Sequence, residues 1–307
     1  MPDAIRRLDV AVCSFRRPEL LVAVLPRLLE QAASVTTARC RVSVVDNDPE
    51  GSGLTAIEAA GLVSDDVHVV VEPTAGLASA RNRALAEAEG ASMLVFIDDD
   101  EIPEDGWLSA LVATHDATGA AAVSGPVLSV LEPGTDPVVA ASPLFSRPRR
   151  ATGTRRPSAA TNNLLLDMDV VREAGLRFDP RFSFTGGEDT FFTRSLVAAG
   201  GTIVWCDEAV VSESVPADRA TPTWVRTRAQ RNGETWAYVR VLDAHGARRS
   251  LVRAGLAARG TALMALHSVR GLMARSDAER AAHRHQAAGG RGILRATTGR
   301  ITQEYRR

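Results

Sequence analysis

A short apolar run that ends in three consecutive aspartates limits the folds open to this chain. Residues 93–97 read Met-Leu-Val-Phe-Ile and are followed at once by Asp98, Asp99 and Asp100. A buried strand that ends in carboxylates places hard oxygen ligands at the carboxyl edge of a sheet, where open α/β folds bind their ligands. Asp98 and Asp100 point to the same side of an extended chain, because side chains alternate along a strand. A lone motif of this kind is more often a solvated acidic turn, so its meaning depends on its companions.

A second acidic pair, Glu188-Asp189, directly follows Gly186-Gly187 and precedes a helical pattern that begins near Thr190. The positive end of that helix would favour an ionised carboxylate at Asp189, as a general base requires. The pair could instead merely cap the helix. Capping, however, explains neither the two glycines nor the distant aspartates, so the two acidic groups together predict a metal-assisted reaction that also needs a base.

Apolar runs and helical patterns alternate along most of the chain, as a mostly parallel sheet with crossover helices requires. The predicted strands span 8–13, 41–45, 67–71, 93–97, 121–125, 202–205 and 209–211, with a further apolar segment at 161–167. The predicted helices span 18–31, 78–89, 107–118 and 190–199. The pattern therefore predicts an α/β fold whose strands are mostly parallel.

Polar residues follow several of these apolar segments and would meet at one edge of a parallel sheet. They are Cys13-Ser14, Asp46-Asn47, Asp98 to Asp100 and Glu188-Asp189. Arg81 lies early on the helix after the third strand, where an arginine can approach a phosphate. Arg81 and Arg83 could alternatively form an exposed helix face. The sequence predicts one site at this edge.

The net charge of −1 conceals an asymmetry between the two ends of the chain. The residues after His245 include thirteen of the 36 basic residues, all arginines, but only three of the 37 acidic residues. An acidic body with a basic tail suits an anionic surface, either lipid headgroups or a diphosphate-linked acceptor. A solvated helical face would have the same composition, so both interpretations stay open.

Residues 251–275 are apolar but interrupted by Arg253, Arg259, His267 and Arg270. This segment is too polar to span a bilayer, yet it suits an amphipathic helix at a membrane surface. It could equally dock on the catalytic domain or on another subunit. No membrane span or secretory leader is evident, so we expect a cytoplasmic protein, held at the inner face of the membrane if its basic end binds there.

Two further features bear on the chemistry. Cys13, Cys40 and Cys206 are odd in number and lack CxxC spacing, which favours reduced thiols over disulfides or a zinc site.

Residues 133–157 contain several prolines and arginines and no apolar periodicity, which predicts a mobile, positively charged arm.

Seven short motifs occur in order between residues 8 and 235. They are VCSFRRP at 12–18, VDND at 45–48, ARN at 80–82, FIDDDE at 96–101, TNN at 161–163, GGED at 186–189, and Val215-Pro216 with Trp224 and Arg231. In this order they resemble glycosyltransferase family 2, which has the GT-A fold, and within it bacterial exopolysaccharide transferases of the succinoglycan type. The resemblance implies a Rossmann-like, nucleotide-diphospho-sugar transferase domain at 1–222 and a helical, arginine-rich C-terminal region at 223–307.

The resemblance implies that the donor is a nucleotide diphosphate sugar, with UDP the expected nucleotide. Cys13, Ser14 and Asp46 match positions that hold the base, and Arg81 matches an arginine that assists the nucleotide. No nucleic acid partner is expected.

The resemblance also implies a divalent cation, Mg²⁺ or Mn²⁺. Asp98 and Asp100 match its ligands, with Asp100 the closer, and Asp99 is the variable middle residue of the donor site. Relatives often have a metal-binding histidine where this chain has Glu213, which makes Glu213 the expected third ligand.

In the same alignment of motifs, Asp189 is the general base of an inverting transfer and Glu188 supports it. The acceptor would be a sugar, a lipid-linked molecule or a small metabolite, which places the enzyme in polysaccharide, glycolipid or glycosylated-metabolite synthesis. The residues expected to contact the acceptor or the diphosphate are Asn162, Asn163, Gly186, Gly187, Trp224, Arg228 and Arg231. Trp224, Arg228, Arg231 and Trp236 could form a lid, or simply a packed helix start with solvated arginines.

The chain departs from the family pattern at one point. Processive members carry a Gln-x-x-Arg-Trp string, whereas residues 228–232 read Arg-Ala-Gln-Arg-Asn, which favours addition of a single sugar. A sugar nucleotidyltransferase would need a glycine-rich basic loop after the first strand, and residues 13–18 contain no glycine. A non-catalytic nucleotide-sugar-binding protein is the other alternative, although it would not need the intact acidic pair.

Overall fold

The structure is a computed structural model that describes residues 6–299 and 301–302. Its strands are β1 Arg6–Ser14, β2 Ala38–Asp46, β3 Val67–Val71, β4 Met93–Asp98, β5 Glu101–Pro103, β6 Ala122–Ser124, β7 Val127–Leu131, β8 Arg155–Arg156, β9 Asn163–Asp167, β10 Ile203–Trp205 and β11 Val211–Val215. Its helices are α1 Pro18–Ser34, α2 Ser52–Ala59, α3 Leu77–Glu87, α4 Trp107–Thr118, α5 Pro137–Ala140, α6 Met168–Glu173, α7 Glu188–Ala198, α8 Pro222–Asp243, α9 Gly246–Met273 and α10 Asp277–Thr297.

Eight strands form the main sheet in the order β3-β2-β1-β4-β9-β6-β10-β8. Strands β3, β2, β1 and β4 run parallel to one another, whereas β9 runs antiparallel between β4 and β6. In register, Ser14 lies beside Asp46 and Cys13 lies beside Asp98. The carboxyl ends of β1, β2 and β4 therefore meet at one edge, as the sequence predicts.

Helices cover both faces of this sheet because successive strand residues point to opposite sides. Val10 of β1 packs on one face against Leu21 and Leu25 of α1, all fully buried. Ala11 points to the other face, where Ala80 and Ala84 of α3 pack. Burial of each large apolar side chain contributes about 1.5–3 kcal/mol, which makes these two layers the rigid support of the edge.

A second sheet of three strands, in the order β5-β11-β7, adjoins the main one. Strand β11 pairs antiparallel with β5 and parallel with β7. This pairing places Glu213 directly opposite Glu101, three residues after Asp98. The small sheet thus adds two further carboxylates beside the end of β4.

The last three helices pack together through glycines. A Cβ atom added to Gly292 of α10 would lie 1.9 Å from the carbonyl oxygen of Gln230 on α8, and one on Gly290 would lie 2.8 Å from the backbone nitrogen of Met264 on α9. Only a residue without a side chain allows the helix backbones to approach this closely. In the described part of the chain, no helix combines the length and apolar character needed to cross a membrane.

The structure corrects several predicted elements. Helix α7 begins at Glu188, two residues earlier than predicted, and the last predicted short strand, 209–211, is β11 at Val211–Val215. Strands β5 and β7 and helix α2 were not predicted, because they are short or lack a clear apolar period. The arm at 133–157 contains the short helix α5 and the edge strand β8, and its mobility stays a prediction.

Candidate active site

A cavity of about 990 Å³ opens at the carboxyl edge of the main sheet. The segments that follow β1 and β4, the turn before α7, strand β11 and helix α8 all contribute to its wall. Most of the residues predicted from sequence line it together. They are Cys13, Ser14, Arg81, Asp98, Asp99, Asp100, Asn162, Gly186, Gly187, Glu188, Asp189, Glu213, Trp224, Arg228 and Arg231.

The three aspartates after β4 have different surroundings. Asp99 is buried, accepts a 2.6 Å hydrogen bond from the Ser14 hydroxyl, and pairs with Arg17 at 2.9 Å. Asp100 lies 3.3 Å from the same guanidinium. Asp98, in contrast, has 43% of its side-chain surface exposed in the cavity. Asp99 therefore fixes the turn, and the Asp98 carboxylate faces the cavity.

Enclosure in the cavity raises the pKa of Asp98 from 3.8 to about 6. Arg81 opposes this shift, whereas the negative charges of Asp100, Asp99 and Glu213 add to it. Mutual repulsion among carboxylates is relieved by a bound cation, which favours the ionised forms. The wall around Asp98 thus has the electrostatics of a cation site.

Glu101 is a buried acid to which sequence reasoning assigned no role, although it belongs to the FIDDDE motif. Its carboxylate accepts a 3.1 Å hydrogen bond from the backbone N–H of Asp98 and a 2.7 Å hydrogen bond from the Asn162 amide. Burial raises the pKa of Glu101 well above its ordinary value of 4.5. Glu101 therefore ties the start of β9 to the end of β4 and holds Asp98 in place.

A buried ion pair joins the two acidic groups of the site. The Arg81 guanidinium on α3 donates a short hydrogen bond to Glu188 on α7 and lies 3.7 Å from Asp98. Burial raises the pKa of Glu188, and Arg81 opposes that rise. Glu188 is only 3% exposed, so it is held away from solvent and serves to position Arg81.

Asp189 occupies the first turn of α7, beside Glu188 but on the cavity side. The N-cap residue of this helix is Gly187, which has φ 97° and makes no side-chain capping bond. A Cβ atom at Gly187 would lie 2.4 Å from the Thr235 methyl group of α8, so a glycine is required there. The acidic pair therefore does not occupy the N-cap position, although the Asp189 carboxylate accepts a hydrogen bond from the Thr190 backbone nitrogen in the first turn.

Helix α8 and the arm close the opposite wall. Trp224 stacks on Phe145 of the arm, with ring centres 6.0 Å apart and planes 14° from parallel. Arg147, also from the arm, lies 3.7 Å from Glu213. Arg259 of α9 lies over the ring of Trp236, which faces the cavity. Trp224, Phe145, Arg147 and Trp236 line the cavity, and their role as a lid stays a prediction.

Two predicted residues lie behind the wall and outside the cavity lining. Asp46 accepts hydrogen bonds from the backbone nitrogens of Gly53 at 2.7 Å and Leu54 at 3.0 Å, so its carboxylate anchors α2. Asn163 accepts a 2.9 Å hydrogen bond from the Trp107 indole and donates a 2.8 Å bond to a backbone carbonyl. Both side chains form hydrogen bonds within the protein, so neither is among the contacts proposed below.

Asn47, the neighbour of Asp46, lines the cavity instead. Its amide joins the end of β2 to the turn before α3, because it accepts from the Gly76 backbone nitrogen at 2.9 Å and donates to the Thr74 carbonyl at 2.8 Å. Burial raises the pKa of Cys13 to about 12, so its side chain faces the cavity as a neutral thiol. The end of the cavity beside β1 and β2 is therefore held by hydrogen bonds and partly uncharged.

Among residues 6–299 and 301–302, no three His, Cys, Asp or Glu side chains form a ready-made metal cage. Mg²⁺ seldom needs one, because it commonly binds through one or two carboxylates and completes its shell with substrate phosphates and water. Asp98 and Asp100 supply oxygen donors of that kind on the cavity wall. The residues present fit a divalent cation bound together with a diphosphate.

The parallel strands, the covering helices and the acidic edge define this protein as a nucleotide-diphospho-sugar transferase of the GT-A fold. The chain belongs to glycosyl transferase family 2, whose model matches residues 9–173. It is 37% identical over 254 residues to the succinoglycan biosynthesis protein ExoM of Rhizobium meliloti (strain 1021), which covers 81% of this chain and 80% of that protein.

Solved structures share the fold at low sequence identity. A mannosyltransferase from Pyrobaculum calidifontis, in complex with GDP-Man and Mn²⁺, matches with a TM-score of 0.61 and 19% identity over 96% of this chain and 88% of its own. GalNAc-T7 with UDP, GalNAc and Mn²⁺ matches with a TM-score of 0.55 and 14% identity over 80% of this chain and 52% of its own. These likenesses establish the GT-A fold.

Proposed function

We propose that the protein is an inverting, metal-assisted glycosyltransferase that moves one sugar from a nucleotide diphosphate sugar to an acceptor hydroxyl. The observation that carries this proposal is that Asp98 to Asp100 and Glu188-Asp189, far apart in sequence, line the same cavity. Sugar transfer of this kind needs charge stabilisation on the diphosphate side and a proton acceptor on the hydroxyl side. The cavity offers both.

The donor binds at the end formed by β1 and β4, with UDP as the expected nucleotide. Cys13, Ser14 and the first turn of α3 provide a compact wall for the base and ribose. Arg17 and Arg219 lie 3.3 and 3.9 Å from Asp100, where guanidinium groups can reach the diphosphate oxygens. UDP and GDP-Man are the ligands of two structural neighbours, which supports a nucleotide sugar without distinguishing the base.

Asp98 and Asp100 would hold a Mg²⁺ or Mn²⁺ ion, with Glu213 as a further ligand. When bound, the cation would neutralise charge on the diphosphate as it leaves. The structural neighbours that contain Mn²⁺ support a divalent cation but not a choice between the two metals. Arg147 beside Glu213 would have to move aside for that carboxylate to join the site.

Asp189 acts as the general base in this proposal. Its carboxylate takes the proton of the acceptor hydroxyl while the hydroxyl oxygen bonds to the anomeric carbon and the bond to the diphosphate breaks. Attack from the face opposite the leaving group inverts that carbon, as in inverting glycoside hydrolysis. Glu188 keeps Arg81 in position and does not touch the acceptor.

The acceptor enters between α8 and the arm. Trp224 stacked on Phe145 gives an apolar surface beside Gly186-Gly187, and Arg228 and Arg231 add positive charge for a phosphate-bearing acceptor. A growing polysaccharide or glycolipid fits this combination, in keeping with the succinoglycan-type relative. Synthesis of this kind would place the protein in the cytoplasm, at the inner face of the membrane.

Titration of the purified protein with a panel of nucleotide sugars tests the donor site. Calorimetry with Mn²⁺ or Mg²⁺, repeated with a chelator, should give metal-dependent binding of one uridine diphosphate sugar. Asp100→Ala should weaken metal and donor binding together. If no nucleotide sugar binds, the proposed donor site is wrong. If a donor binds and Asp189→Asn transfers sugar as fast as wild type, Asp189 is not the base. If a donor binds and wild type transfers no sugar, the non-catalytic alternative is favoured.

A further inference from the structure

Helix α9 exposes an apolar face that no other part of the described chain covers. Five large apolar side chains on it are exposed: Leu251 74%, Leu266 46%, Val269 56%, Leu272 88% and Met273 76%. The exposed positions between them, Ala258, Ala262 and Ala265, are small and uncharged. Their spacing of three, four and seven residues places them along one side of the helix. A monomeric soluble protein rarely leaves such a continuous stripe in water.

The opposite side of α9 explains why the stripe is not the core face. Leu256 and Gly260 are the buried residues of this helix, and Gly260 packs against the backbone of Gly290 on α10. A surface helix ordinarily presents polar residues opposite its buried side. Helix α9, at 28 residues, instead has two apolar sides and so needs a second partner.

The charges of α9 identify the chemistry of that partner. The helix contains no aspartate or glutamate, and all of its formal charges at neutral pH are positive. Its arginines are Arg248, Arg249, Arg253, Arg259 and Arg270. Arg248, Arg259 and Arg270 each lie three residues before a member of the stripe, so they border it. An apolar stripe with this border matches a lipid surface with anionic headgroups, where apolar side chains enter the acyl boundary and guanidinium groups meet phosphates.

We propose that α9 docks the protein on an anionic lipid surface, with its exposed apolar stripe, from Leu251 at one end to Met273 at the other, facing the bilayer. The same charges disfavour a second copy on this face. In a two-fold dimer the same patch meets itself, so arginines of one α9 would lie near those of the other with no acidic residue on either helix to offset them. A headgroup layer supplies the missing negative charge.

This surface lies close to the cavity. Arg259 of α9 is 5.1 Å from the ring centre of Trp236, and Trp236 lines the cavity wall. A bilayer against α9 would therefore lie near the part of the cavity wall that α8 forms. An acceptor carried on a lipid would reach the site from that side. This last step depends on the proposed sugar transfer, whereas the proposed lipid binding does not depend on it.

Vesicle flotation of the full chain tests the proposal directly. We expect wild type to float with vesicles of phosphatidylcholine and phosphatidylglycerol, and to float much less with phosphatidylcholine alone. Leu272→Glu with Met273→Glu should reduce binding at least about tenfold, because two inserted apolar groups become charged. The matched control is Val63→Glu with Val197→Glu, which alters two exposed apolar residues elsewhere and should bind like wild type.

A second pair of variants separates charge from apolar insertion. Arg248→Gln with Arg270→Gln should weaken binding to phosphatidylglycerol vesicles and reduce its sensitivity to salt. Sugar transfer to a water-soluble acceptor should be unchanged in all these variants, which distinguishes failure of docking from failure of the active site. Circular dichroism checks that each variant is folded.

Three outcomes would overturn the proposal. The first is failure of wild type to bind anionic vesicles, and the second is equal binding by the α9 variant and the control. The third is a wild-type dimer, seen by light scattering, that the α9 substitutions dissociate without any vesicle binding, which would assign the face to a second copy.

Discussion

The sheet body and the C-terminal helices α8 to α10 are held together in opposite ways. The body buries large side chains such as Trp107 and Phe178, and it places buried charges in pairs, as with Arg81 and Glu188. The helices have a small core around Ala237 and Ile293 and approach one another through glycines. The helices also contain an ion pair, between the buried Glu234 of α8 and Arg295 of α10 at 2.9 Å, but they depend in addition on close backbone contact.

This difference predicts how substitutions in each region affect activity and stability. Charge changes at the sheet edge should alter chemistry or leave a buried charge unpaired, whereas changes in the helices should act through backbone spacing. Two exceptions are the side of α8 that faces the cavity, where Trp224 and Trp236 lie, and the pair of the buried Glu234 with Arg295.

Asp189→Asn should produce the largest effect, on turnover alone. Loss of a general base lowers the rate by roughly 10²- to 10⁴-fold. Donor binding by calorimetry should stay close to wild type, because Asp189 serves the acceptor side in our proposal. Asp277→Asn, also in the first turn of a helix, is the control and should keep full activity. Weakened donor binding in the Asp189 variant would show that Asp189 contributes to the donor site, contrary to our proposal.

Arg81→Met should destabilise the body by about 3–5 kcal/mol, because removal of one partner leaves Glu188 buried and unpaired. Urea unfolding measures the change. Arg83→Met removes a half-exposed arginine paired with Glu87 on the same helix, and it should cost less than about 1 kcal/mol. Equal losses for the two variants would mean that the buried pair has no special part in the stability of the site.

Gly292→Ala should destabilise the C-terminal helices by about 1–3 kcal/mol, because the new methyl group would meet the Gln230 carbonyl oxygen and force α8 and α10 apart. Gly255→Ala is the matched control, since no atom lies within 4 Å of its added Cβ. Thermal unfolding of both variants decides the matter. A stable Gly292 variant would show that these helices tolerate a wider spacing.

Glu101→Gln should change how stability depends on pH. Burial raises the pKa of Glu101 above its ordinary value of 4.5, so the folded protein binds this proton more tightly than the unfolded chain does. Wild-type stability is therefore lost as pH rises from 4.5 through the folded pKa, by up to about 1.4 kcal/mol per pH unit. The variant lacks this loss, and its free energy of unfolding should gain on wild type as pH rises. A constant difference between the two proteins would contradict the shift.

Strand ends were the most predictable part of the molecule. Strand 67–71 and helix 107–118 agree with the structure residue for residue, because both have clear apolar patterns and clear boundaries. Cys13 and Asp98 were placed on one edge because parallel strands end together, and the structure confirms that they are neighbours. Asp189 lines the same cavity for another reason, because it lies at the start of α7 and no strand ends just before it.

Side-chain orientations and the direction of β9 could not be predicted, because they depend on contacts with residues distant in the sequence. Asp46 and Asn47 are adjacent at the end of β2, yet Asp46 turns inward to α2 and Asn47 faces the cavity. Glu101 acquires its positioning role only because β9 enters antiparallel and brings Asn162 beside it. The apolar face of α9 has the same composition as a core face, and only packing reveals which side is covered.

The arm between β7 and β9 has a consequence for how such enzymes diversify. Only Arg155–Arg156 join the main sheet, at its outer edge, while Phe145 and Arg147 reach the cavity. Insertions or deletions in the arm would leave the register of β1, β2 and β4 unchanged. If the arm contacts the acceptor as we propose, changes in its length would alter which acceptor is bound while the residues proposed to hold the donor stay in place.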